Sequence, residues 1–231
     1  MYFLSIEPST KVFSLALSDS GRVLRYRNMT VDKVLEHSII PAVDRLLASA
    51  GVPFKKLDAF AVGLGPGSFT SLRVGLATVK AFAMATGKPV VGVPSLDVIA
   101  RGVAGLPCDE ICVLSDARRG MVYAAIYGST RLTTGGSTLK RTSDYMLCDI
   151  KTVLDKVHGK TLFTGDGVGL YRNDILRCRP VFVPQKLWSP QAKCLVQIAF
   201  ERLAVKDYDD MERLVPLYLY PADCQVDRRS T

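Results

Sequence analysis

The chain has 231 residues, 48% of them apolar and 23% charged, so it is long enough to bury roughly 70% of its unfolded surface in one large domain or two small lobes. The apolar start, residues 1–6, has no basic region and no cleavage site, and no stretch reaches the ~20 apolar residues of a membrane helix; a cytoplasmic protein is expected. The net charge of +8 is compatible with an acidic partner such as RNA, but the basic pairs Arg118-Arg119, Lys140-Arg141 and Arg228-Arg229 are scattered and have no RNA-binding aromatic signature beside them.

In chain order, residues 3–17 read as strand, polar turn, strand, and 22–28 as a third strand of a meander. A helix is predicted over 36–50, with Ile39, Ile40, Val43, Leu46 and Leu47 at helical spacing, Pro41 in its first turn and Gly51 closing it. The apolar run 58–63 suits a buried strand and leads into the glycine-rich loop 63–70. A second helix is predicted over 71–86, then a strand over 88–93 and a helix capped by Ser95. The pattern then restarts: residues 111–127 are again strand, acidic turn, strand, and 161–169 repeats the step from strand to glycine loop. Superposed without a gap, Glu7 falls on Asp116 and Leu17 on Ile126. The reading is a duplicated α/β unit of the actin-like, sugar-kinase and Hsp70-type ATPase fold, two lobes each with a mixed sheet flanked by helices. The lobes are placed at 1–105 and 106–231, with a helix at about 189–205 positioned to pack back on the first.

The candidate chemistry is thin. In nucleotide-binding hairpins an acidic residue and a glycine close on phosphate. Here the turn is Glu7-Pro8-Ser9-Thr10; it has no glycine, and Pro8 removes a donor. Glu7, Ser9 and Thr10 are therefore read as a vestigial nucleotide hairpin. The loop around Gly65, Gly67 and Ser68 joins a strand to a helix N-terminus, but lacks the Gly-Lys-Ser/Thr end of a P-loop and fails the dinucleotide fingerprint at Ser68. It is read as a close-packing turn with Ser68 or Thr70 as helix cap. The two histidines, His37 and His158, have no metal-ligand spacing and no G-x-S-x-G elbow to accompany them, which argues against a peptidase. The acidic stretch 207–212 is expected to be a solvated loop, and the cysteines Cys108, Cys112, Cys148, Cys178, Cys194 and Cys224, which show no paired spacing, to be free thiols. The helix at 71–86 is apolar around nearly its whole circumference. Periodicity leaves two readings open: burial inside the lobe, or one face on the sheet and the other against a protein.

The run 58–80, DAFAVGLGPGSFTSLRVGLATVK, followed by GKPVVGVPSLD at 87–97, closely resembles the TsaB (YeaZ) family. Residues 116–120, 165–167 and 216–219, and His37-Ser38 with Pro41, resemble it as well. The resemblance implies a non-catalytic scaffold in bacterial synthesis of threonylcarbamoyladenosine, the modified adenosine next to the tRNA anticodon. It implies pairing with the related transferase subunit TsaD, joined by the P-loop protein TsaE, a homodimer when alone, and tRNA contact only indirect or weak. No cofactor is expected on this chain, since ATP falls to TsaE and the metal to TsaD. TsaD-like chains carry a metal-binding H-x-x-x-H after the corresponding strand, where this chain has Ser95 and Ile99, neither of which replaces imidazole. The implied partner interface uses the first-lobe helices, with Ile39, Val43, Leu46, Leu72, Arg73, Leu76, Val79, Lys80 and Ala83 assigned to it. Glu7, Pro8, Ser71 and Tyr220 depart from the family pattern. The alternative kept alongside is an ATP-binding kinase or ATPase of the same fold class.

Overall fold

The computed structural model describes all residues except 31–35, 132–136 and 221–231, and gives backbone alone for 36–38, 130–131 and 137–138. Cys224, Arg228-Arg229 and the His37 side chain therefore lie outside the described residues. Strands β1 (Tyr2–Glu7), β2 (Val12–Asp19) and β3 (Arg22–Thr30) form an antiparallel meander. Helix α1 (Glu36–Ala50), strand β4 (Leu57–Gly63), helix α2 (Phe69–Thr86), strand β5 (Val90–Val93) and helix α3 (Ser95–Val103) follow. The sheet order is β3-β2-β1-β4-β5, with β4 parallel to β1 and β5 parallel to β4.

The second half repeats this. Strands β6 (Glu110–Arg118), β7 (Met121–Arg131) and β8 (Ser137–Arg141) form a meander. Then come β9 (Met146–Asp149), α4 (Ile150–Leu154), β10 (Thr161–Thr164), α5 (Gly167–Leu170), α6 (Arg172–Ile175), β11 (Val181–Phe182) and α7 (Ala192–Ala204). Read from β8, the order is β8-β7-β6-β10-β11, with the same sequence of antiparallel and parallel pairings as the first sheet. The lobes differ in their trimmings: β9 pairs with the first half of β7, and short helices stand where the first lobe has α1 and α2.

Strands β1, β2, β4 and β5 of the first sheet are buried on both faces, which is why they are mostly apolar runs, whereas the edge strand β3 is largely exposed. Leu4, Ile6, Leu15 and Val62 pack under α1 and α2, with Val43, Leu46, Leu76 and Val79. Phe3, Ala16, Ala59, Ala61 and Val91 alternate to the other face and pack under α7, with Leu195, Val196 and Ala199. Two hydrogen bonds fix the start of α7: Ala192 N donates to the buried Ser14 Oγ at 2.8 Å, and Tyr26 OH to Gln191 Oε1 at 3.2 Å.

Three local expectations need correction. Pro41 lies inside α1 and not in its first turn, so the helix gives up one internal hydrogen bond there. Helix α2 starts at Phe69, two residues early, and Ser68 sits at its N-cap without a side-chain bond to the backbone; its hydroxyl lies 3.0 Å from Ser71 Oγ instead. The acidic stretch 207–212 is in part a clasp on the edge strand β5. Asp209 Oδ2 accepts from Gly92 N at 2.7 Å and from Arg202 Nη1 at 3.1 Å, and Arg202 also holds Asp207 at 2.6 Å. A carboxylate there satisfies an amide of the sheet edge that would otherwise be open to another strand.

Candidate functional site

The acidic hairpin of the first lobe turns its carboxylate inward. Glu7 is fully buried; it accepts from Ser9 N at 2.9 Å and from Ser95 Oγ, which lies 3.1 and 3.0 Å from its two oxygens. Ser95 Oγ in turn accepts from Gly65 N at 3.0 Å, and Ser95 N donates to Gly65 O at 2.7 Å. A Cβ on Gly63 would stand 2.0 Å from Glu7 Oε2, so only glycine leaves room for the carboxylate. Burial pushes the Glu7 carboxyl above its usual range, and the hydrogen bonds from Ser9 and Ser95 only partly oppose this.

The hairpin is locked to α2 as well. Pro8 lies against Gly75, where a Cβ would come within 2.6 Å of its ring. Ser68 N donates to Ser9 O at 2.8 Å, and a Cβ on Gly67 would meet that same oxygen at 2.1 Å. Hairpin, glycine loop and the starts of α2 and α3 thus form one packed knot.

In the second lobe, Asp166 Oδ1 accepts from Ser115 Oγ and from Asp116 N, both at 2.9 Å. The Asp116 carboxylate is used within its own turn, accepting from Arg118 N at 2.8 Å with Arg118 Nη1 at 3.3 Å. Arg118, Arg119 and Gly120 all have positive φ. Between the lobes lies a cleft of about 610 Å³, lined by Ser9, Thr10, Lys11 and Ser68 on one side and by Ser115, Asp116, Arg118 and Asp166 on the other. Lys11 and Arg118 are its cations, and Glu7 does not line it. The residues do not fit a metal of the kind the resemblance places in TsaD-like chains. Ser95 Oγ is already bonded, and Ile99 is an apolar core residue. Among the described residues no group of three or more His, Cys, Asp or Glu could hold a metal ion. His158 is exposed, and its backbone N–H donates to Glu110.

The helix pair α1 and α2 offers the other candidate surface. Of the residues assigned to an interface from sequence, Ile39, Val43, Leu46, Leu72, Leu76, Val79 and Ala83 face the core of the lobe. They form the stripe that holds the helices on the sheet, so their side chains have no surface left to offer. Arg73 is exposed and Lys80 half-exposed. The solvent face of α2 is instead Phe69, Arg73, Ala77, Ala81 and Met84, with Met84 72% exposed. Ile40, at 46%, lies on the outer side of α1. Helix α2 is therefore not buried on all sides: one apolar face is spent on the sheet and the opposite one, mostly small residues, stands in solvent.

A family model described as tRNA N6-adenosine threonylcarbamoyltransferase, TsaD, matches residues 30–195. The TsaB protein of Bacillus subtilis, named for tRNA threonylcarbamoyladenosine biosynthesis, is 28% identical, the match covering 98% of this chain and 97% of that one. The Escherichia coli TsaB is 31% identical over 128 residues, 55% of each chain. An uncharacterised Mycobacterium tuberculosis protein, Rv3421c, is 43% identical over 100 residues, 43% of this chain and 46% of its own. The match thus spans about half or less of the mycobacterial relatives' length. Among solved structures, YeaZ from Pseudomonas aeruginosa aligns with a TM-score of 0.79 at 27% identity, over 94% of this chain and 99% of that one. EutJ from Carboxydothermus hydrogenoformans, at 13% identity and a TM-score of 0.51 over 85% and 89%, shares the fold alone.

Proposed function

Because the chain belongs to the tRNA N6-adenosine threonylcarbamoyltransferase family, in its TsaB/YeaZ branch, we propose that it is the non-catalytic partner subunit of a complex that attaches threonylcarbamoyl to adenosine in tRNA. It docks on the TsaD-type subunit through the outer face of α1 and α2, and meets a TsaE-type ATPase in the assembled complex. In the absence of TsaD the same face is available to a second copy of the chain. The role places the protein with tRNA in the cytoplasm, and no described helix is long and apolar enough to cross a membrane.

The observation that carries the reading is the fate of Glu7 and Ser95. At the position of the nucleotide hairpin and at that of the TsaD-type metal histidine, the side chains are bonded to one another inside the lobe. What such a chain still presents is the apolar stripe along α2, a surface of the small-residue kind that lets helices approach closely.

The test is co-elution with a soluble TsaD from the same organism. The native chain is expected to bind at micromolar concentration. Ala77→Arg and Ala81→Arg, which put a long cation in the stripe, are expected to abolish binding while moving folding stability by no more than about 0.5 kcal/mol, as surface changes usually do. Unaltered binding by both variants would remove the stripe from the interface; no binding by the native chain would remove the partner reading itself.

A further inference from the structure

After the β5 clasp the chain runs over the ends of β4 and β5 toward the cleft. Leu214 enters the first-lobe core, and Leu217 N donates to Leu64 O at 2.8 Å. Tyr218 OH accepts from Arg73 Nε at 3.1 Å, and its ring packs on Phe69 with centroids 5.7 Å apart. To this point every partner belongs to the first lobe. Two residues later the strand of chain crosses over: Tyr220 OH donates to Ala117 O, in the second-lobe hairpin, at 2.7 Å. Its ring stands edge-on to Tyr123 at 6.1 Å. Ala117 and Tyr123 both line the cleft.

The lobes are also joined by residues that do not line the cleft, here called its base: Leu96, Ile99, Ala100 and Val103 of α3 pack on Ile111, Val113 and Ala125 of the second sheet, and a polar contact lies beside them. Asp97, in the first turn of α3, accepts from Tyr127 OH at 2.6 Å and from Tyr145 OH at 2.7 Å. Those bonds are short and charge-assisted, and Tyr127 is 2% exposed. Among the described residues, the join at the mouth is one neutral hydrogen bond and one aromatic contact between half-exposed rings. A strong join at the base with a weak one across the mouth is the arrangement of a hinge and a latch, since the weaker join opens at far lower cost.

We propose that residues 215–220 are a latch across the mouth of the cleft. With Tyr220 seated on Ala117 the lobes keep the separation seen here. With Tyr220 released they part about the Asp97 base, and the walls of the cleft meet solvent. The inference concerns the isolated chain and does not rest on the partner reading.

Hydrogen exchange followed by mass spectrometry on the full chain tests it. Tyr220→Phe removes only the hydroxyl, and Tyr220→Ala removes the ring as well. Amides in 116–123 and 64–71 are expected to exchange several-fold faster in both, more in the alanine variant, with the melting temperature and the rest of the chain little changed. Tyr208→Phe, at an exposed tyrosine, is the control and is expected to match the native pattern. Native exchange rates in those two segments of Tyr220→Ala would overturn the latch. A rise spread evenly over both lobes with a lowered melting temperature would also overturn it, because that is global loosening.

Discussion

Glu7 shows how one side chain changes what a site can do. Position 7 ends a strand whose odd-numbered residues point to one face, and its carboxylate finds Ser9 N, Ser95 Oγ and the gap over Gly63. The surroundings cost the charged form more than the hydrogen bonds return, so the folded carboxyl titrates above its unfolded value of 4.5. The sign follows from linkage: Glu7 contributes stability that is fully present below 4.5 and is lost as pH rises through the folded value. Glu7→Gln keeps the shape and removes that dependence. The variant is expected to melt about 2–4 °C above the native chain near pH 7.5, with the gap closing as the buffer falls toward pH 4. A gap independent of pH, or a less stable variant at neutral pH, would count against an ionisable carboxyl held in the interior.

At the scale of elements, the two ends of the first sheet are handled differently. Strand β3 is an edge carrying exposed Arg22, Arg25 and Arg27, charges that discourage pairing with another chain. Strand β5 is all apolar and depends on the clasp, in which Arg202 Nη1 holds both Gly92 O at 2.9 Å and Asp209 at 3.1 Å. Arg202→Ala is expected to cost about 1–2 kcal/mol in urea unfolding, since it leaves a part-buried carboxylate without its cation, and to quicken amide exchange at Gly92. An unchanged unfolding midpoint would show that the clasp adds nothing to the edge. Helix α2 follows the same logic of faces. Its sequence is apolar all round, yet Leu72, Leu76 and Val79 take the sheet and Ala77, Ala81 and Met84 are left outward.

For the whole molecule the decisive element is α7, which lies late in the chain and covers the rear face of the first sheet. Phe3, Ala16, Ala59, Ala61 and Val91 are fully buried beneath it. Residues 1–105 expressed alone would present that contiguous apolar face to water, which favours aggregation. The fragment is expected to be insoluble or to lack a cooperative unfolding transition by circular dichroism. A soluble fragment with a sharp melt would show that the first lobe folds without α7. The two lobes are duplicates in strand order, but the chain does not divide into two self-sufficient halves.

The first meander and the hairpin that repeats it, α1, α2 and the strand-to-glycine steps were legible in the linear order of residues, because periodicity, Gly51 and Gly87 as helix stops, and alternating apolar runs are local signals. Also legible was that Ser95 and Ile99 stand where TsaD-like chains carry histidines, and that neither side chain replaces imidazole. Strands β8, β9 and β11 were not legible: they are short edge pieces whose identity comes from the neighbour they pair with, and their own composition is ordinary. Nor was the inward turn of Glu7, the choice of face on α2, the reach of Arg202 to Asp209 and Gly92, or the crossing of Tyr220 to Ala117. Each joins residues distant in sequence or selects one side of an element, and helical spacing by itself does not say which side of a helix apolar nearly all round meets the sheet. That choice is made by packing, once β1, β4 and α7 are assembled around a common core.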